Sequence, residues 1–116
     1  MSTIYQKLLH QWATLAPDEC QATERDYRFK VRILPQVEEC FYSHPWRYIN
    51  SEDLILRQLN FLLLTIINHC AARQSSIGFT FGELGVTAVI CNGLKSQPQL
   101  HPAIAALDAY IQLLQF

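Results

Sequence analysis

The sequence predicts an all-α protein: a single helical domain over 1–116, with five helices packed around a central apolar helix. Three observations carry this expectation. The stretch "QLNFLLLTIINHCAA", Gln58 to Ala72, has no charged residue, and a helix apolar nearly all round is one with neighbours on several sides. Apolar residues recur at helical spacing near both ends of the chain. Two T-x-x-E/Q patterns, Thr3 with Gln6 and Thr80 with Glu83, match the capping box, in which each side chain satisfies an orphan backbone N–H.

In the first helix Ile4, Leu8, Trp12 and Leu15 make the apolar stripe, with Tyr5 and Leu9 widening it. Pro17 and Asp18 end it. This segment is amphipathic and lacks the continuous apolar region and small-residue cleavage site of a secretory signal. Thr23, followed by Glu24 and Asp26, reads as the start of a second helix from Glu24, kinked at Pro35 and reaching about Ser43. The same residues admit a second reading. In "YRFKVRI" Tyr27, Phe29, Val31 and Ile33 alternate with Arg28, Lys30 and Arg32, which is the period of a strand. Its partner would be "IGFTF", Ile77 to Phe81, giving an α+β alternative with short strands near 27–33 and 77–81.

Asn50 or Ser51 caps the third, central helix, Glu52 and Asp53 favour its positive end, and Arg73 its negative end. A membrane span needs about 20 mostly apolar residues. The apolar run Phe61 to Ile67 contains Thr65 and is flanked by Asn60 and Asn68, so no membrane span is expected. A fourth helix covers "FGELGVTAVICN", weakened by Gly85 and stopped by Gly93. "KSQPQLHP" is a loop. Pro102 opens the fifth helix, where Ile104, Leu107, Ile111 and Leu114 form a stripe beside Ala103, Ala105, Ala106 and Ala109.

Composition bounds the function. The net charge is −1, with no basic excess to hold nucleic-acid phosphates. From Gln58 to Phe116 the charged residues are Arg73, Glu83, Lys95 and Asp108 alone. A small domain normally needs surface charge to stay monomeric, and a second copy is the commonest cover for a charge-poor surface. The sequence therefore predicts a homodimer paired through the last helix, at Tyr110, Leu113 and Phe116. Cys20, Cys40, Cys70 and Cys91 have neither the density of a disulfide framework nor a CxxC pair. They read as reduced thiols of a cytoplasmic protein.

Chemistry is sparse. Cys40 and His44 are half of a zinc site at most, and His69 and Cys70 diverge as neighbours. No GxGxxG or Walker lysine motif appears. No metal, cofactor or nucleic acid is expected. Arg25, Arg28, Lys30 and Arg32 form the one basic cluster, read either as a solvated face or as a patch facing an acidic partner. The segment "CFYSHPWRY" concentrates Phe41, Tyr42, His44, Trp46, Arg47 and Tyr48 around Pro45. Tyr, Trp and Arg dominate binding hot spots, so this is the expected partner-binding site, with a core plug as its competitor. The function expected is a non-enzymatic protein–protein interaction module, an adaptor, assembly factor or regulator, acting as a homodimer. A small-ligand or cofactor sensor is the alternative, followed by a small enzyme working at Cys40.

Overall fold

A computed structural model describes residues 3–25, 27–43, 52–91 and 93–115. It overturns the all-α expectation. The order is α1 (Thr3–Leu15), β1 (Cys20–Ala22), β2 (Arg28–Leu34), β3 (Val37–Tyr42), α2 (Glu52–Ala72), β4 (Ile77–Gly82), β5 (Gly85–Ile90), β6 (Leu94–Lys95) and α3 (Pro102–Leu114). The strands form two antiparallel three-stranded sheets, β1-β2-β3 and β4-β5-β6. The fold is mixed α/β, and the helical bundle is withdrawn. The first, third and fifth expected helices exist; the second and fourth are hairpins. The α+β alternative places its strands where β2 and β4 run, but pairs them with each other, whereas each pairs within its own sheet. The chain divides into two compact units, Met1–Asn60 and Phe61–Phe116.

In the first unit, Pro35 and Gln36 form the tight turn between β2 and β3 rather than a helix kink. Proline's fixed φ suits the first central position of such a turn. The register pairs Phe29 with Phe41 and Lys30 with Cys40, and shifts between Arg32 and Leu34. Thr23 uses its hydroxyl for a turn instead of a helix cap. Its Oγ1 accepts from Arg25 N (3.2 Å) and donates to Arg28 O (2.9 Å). The same short polar side chain serves either purpose, which is why the capping pattern misleads.

One face of this sheet carries Cys20, Phe29, Val31 and Phe41 into the core with Tyr5, Leu9 and Trp12 of α1, all buried. His10 meets Phe29 edge-on at 4.8 Å. The Trp12 indole donates to the buried Glu19 carboxylate at 3.0 Å. Burial, with the Glu19 charge adding, pushes the Cys20 thiol up to about 12. It stays protonated and faces Leu9 O at 3.7 Å.

In the second unit, Gly82 to Gly85 is a hairpin turn, so Thr80 and Glu83 cap nothing. Val86, Ala88 and Ile90 alternate inward along β5, which packs against α3. Ala103, Ala106, Leu107 and Tyr110 of α3 are buried, the alanines permitting close approach to the sheet. Of the expected stripe, Leu107 and Ile111 are buried while Ile104 and Leu114 are half-buried. Along α2, Leu59, Leu62, Thr65, Ile66 and Cys70 are buried, whereas Phe61 and Leu64 face solvent. That helix is not apolar all round for the sake of burial.

α3 begins as its Pro102 signal predicts, but its cap is His101. The Nδ1 atom accepts from Ala103 N at 3.0 Å, which requires the neutral imidazole. Burial lowers the His101 pKa from its ordinary 6.5. A protonated ring would lose the cap and set a positive charge at the positive helix end. A folded pKa below the unfolded one means the cap's stabilisation is present above pH 6.5 and is lost as pH falls through the folded value. We expect His101→Asn, which caps in either condition, to lose less stability than wild type between pH 7.5 and 5. The difference should be roughly 0.5–2 kcal/mol by denaturant unfolding. Identical pH profiles would show that the imidazole does not hold this cap.

Candidate functional site

The aromatic segment divides. Phe41 sits in the core of the first sheet opposite Phe29, fully committed to packing. Tyr42 is half-buried and stacks on Tyr27 at 6.4 Å between ring centres. His44, Trp46, Arg47 and Tyr48 lie outside the described residues. Neighbouring side chains on a strand point to opposite faces, so Phe41 and Tyr42 do not form one surface.

The two sheets treat their edges differently. At β3 the Gln58 side chain occupies the edge: Tyr42 N donates to its Oε1 (3.1 Å) and its Nε2 donates to Cys40 O (3.2 Å). Among the described residues β4 has a ladder neighbour on one side only, β5. The phase of the ladder tells which backbone groups face outward. Val86 exchanges both bonds with Gln99 (2.8 and 2.9 Å), and Ala88 O accepts from Ser96 N (2.9 Å). Val86 and Ala88 thus turn their peptide groups away from β4, and their opposite residues, Phe81 and Phe79, turn theirs away from β5. The same parity sends the N–H and C=O of Ile77 outward. Ser76 and Cys91 agree with this phase, since Cys91 N donates to Ser76 O (3.1 Å).

β4, "IGFTFG", is six residues long and carries no charge, proline or bulge. These are the devices by which proteins usually blunt an edge. Phe81 shares the α3 side of the sheet with Val86, yet it remains 75 % exposed, and Leu84 at the turn is 82 % exposed. Beside them a shallow hollow of about 260 Å³ is lined by Thr80, Gly82, Glu83, Gly85, Thr87 and Pro98. Glu83 is its only ionisable side chain, so the hollow holds no nucleophile–base pair.

The residues expected to pair two chains sit elsewhere. Tyr110 has no exposed surface. Its hydroxyl accepts from Arg73 Nε (3.0 Å), and its ring lies near His69 (6.1 Å between centres). Leu113 is half-buried, and Phe116 lies outside the described residues. Sequence reading missed the β4 edge. Its uncharged run was visible, but edge position depends on which strands pair.

Cys40 is half-buried, with Arg28 Nη2 at 3.4 Å from its sulfur. No base of the kind a thiol nucleophile needs is shown beside it among the described residues. Those residues contain no group of three His, Cys, Asp or Glu placed to hold a metal ion. Nor do they contain a helix long and apolar enough to cross a membrane. No protein-family model matches the chain, and neither a curated protein nor a solved structure matches it significantly.

Proposed function

We propose that this chain is a non-enzymatic protein–protein interaction module, an adaptor, assembly factor or regulator, that works as a homodimer paired along β4. The open, uncharged β4 edge carries this reading. The outward peptide groups belong to Ile77, Phe79 and Phe81, a set symmetric about Phe79. An antiparallel two-fold pairing centred there sets Phe79 against Phe79 of the partner subunit and Ile77 against Phe81 of the partner subunit. Each outward N–H and C=O then finds a partner, and the phenyl rings cover apolar surface on both chains. No like charges meet, because β4 has none. The charge-poor second half of the chain supports the same reading.

Phe81→Pro is the sharpest test. The Phe81 N–H faces away from β5, so proline removes a bond of the dimer and none of the hairpin. We expect wild type to sediment at twice its 13.4 kDa mass at micromolar concentration. Phe81→Pro should sediment as a monomer with unchanged circular dichroism, and Leu100→Lys, altering a residue 96 % exposed outside β4, should remain a dimer. A monomeric wild type, or a Phe81→Pro variant as dimeric as wild type, would refute the pairing.

A further inference from the structure

We infer that the solvent face of the β1-β2-β3 sheet docks an acidic peptide segment of a partner protein. The inference rests on the reading of this chain as a protein-contact module, but not on β4 pairing. β2 is the central strand, and its outward side chains are Arg28, Lys30 and Arg32, the inward ones being Phe29, Val31 and Ile33. Alternate residues of a strand stand about 7 Å apart, so three cations form a straight row across the middle of the sheet.

Most of their strand-paired neighbours on that face are not acidic. Tyr42 lies opposite Arg28, Gln21 and Cys40 flank Lys30, and Glu38 lies opposite Arg32. Glu38 is the one carboxylate among these neighbours. It approaches Arg32 at 3.8 Å with both side chains well exposed, a geometry in which ion pairs contribute little. Glu24 interacts with Arg28 from the turn between β1 and β2. Glu39 is paired with Val31 and belongs to the opposite face.

The row is also held in place. Arg32 donates to Asp18 O (3.1 Å) and Pro35 O (2.7 Å), and Arg28 to the Cys40 sulfur (3.4 Å). Two guanidinium groups are thus fixed before any partner arrives, which reduces the ordering cost of binding. The Lys30 ammonium, exposed between them, makes no hydrogen bond or ion pair among the described residues. The Tyr27–Tyr42 stack, with Arg25 Nη1 donating to the Tyr27 hydroxyl at 2.9 Å, borders the row with aromatic surface. Three like charges in file repel one another, and carboxylates laid along them relieve that repulsion while taking up the donors. A nucleic acid fits less well. The row is short, and the chain as a whole has a net charge of −1.

The test is fluorescence anisotropy of a labelled heptapeptide alternating Glu and Ser, titrated with the full-length protein. Saturable binding is expected, weakened by salt and absent for the same peptide with Gln in place of Glu. Lys30→Glu should weaken binding at least tenfold, Lys30→Arg should retain it, and Glu38→Gln should tighten it. Phe81→Pro should bind as wild type does, which separates this surface from the dimer contact. Equal binding of the Gln peptide, an unchanged affinity in Lys30→Glu, or tighter binding of a single-stranded oligonucleotide of similar length would overturn the proposal.

Discussion

Gly85→Ala is expected to lower the stability of the second unit by about 3–5 kcal/mol, or to prevent its folding outright. Two costs coincide at this position. The backbone sits at φ +129°, which side chains of L-residues rarely tolerate, and a Cβ there would lie 2.4 Å from the Gln99 carbonyl oxygen. That carbonyl cannot retreat cheaply, because it accepts from Val86 N at 2.8 Å while Gln99 N donates back to Val86 O at 2.9 Å. Relieving the clash means giving up this bridge, which ties the segment before α3 to β5. Gly78→Ala is the matched control. Nothing lies within 4 Å of a Cβ built there, so the change should be neutral or stabilising by about 0.5 kcal/mol. Urea unfolding followed by circular dichroism reads both. Equal midpoints for the two variants would show that Gly85 bears no special constraint.

Trp12→Ala should cost the first unit about 3–5 kcal/mol. The indole is fully buried, among the largest such side chains in the chain. Its removal leaves a void in the α1–sheet core and takes a hydrogen-bond donor from the buried Glu19 carboxylate, 3.0 Å away. Trp12→Phe divides the two effects. It refills most of the volume but supplies no N–H, and should cost roughly 1.5–3 kcal/mol, the range for a hydrogen bond to a charged group. The same unfolding experiment checks this, and a Trp12→Ala midpoint within error of wild type would contradict the burial of the indole.

Helices were legible where two signals agreed. α1 ends at Leu15, two residues before Pro17, and α3 begins at Pro102, each with apolar periodicity alongside. The hairpins were hidden because their turns borrow helix vocabulary. Thr23 and Thr80 look like caps, yet one closes a turn and the other lies within a strand. In β5 the inward Val86, Ala88 and Ile90 alternate with Thr87 and Val89, and the apolar Val89 on the second face blurs the period. In β2 the alternation was clean, and the strand reading of Arg28, Lys30 and Arg32 describes the face they occupy. The candidate site was half legible. The shortage of charge beyond Gln58 could be counted from residues, whereas the exposure of β4 follows from strand order, a non-local property that no window of sequence contains. The aromatic richness of 40–48 likewise could not say that Phe41 turns inward, because one residue of register decides the face.

Gln58 shows how little separates the two sheets. The Gln58 amide presents a C=O and an N–H side by side in nearly the shape of a peptide group, so on β3 it acts as a strand a single peptide long, with no next residue to recruit. A glutamate there could accept from the Tyr42 N–H but would set an anion against the Cys40 carbonyl. Two backbone groups on the β3 edge are therefore satisfied by one side chain, and the Cys40 carbonyl by a single nitrogen atom of it. Slow hydrolysis of the amide as the protein ages would remove that nitrogen and leave the Cys40 carbonyl facing a carboxylate instead of a donor.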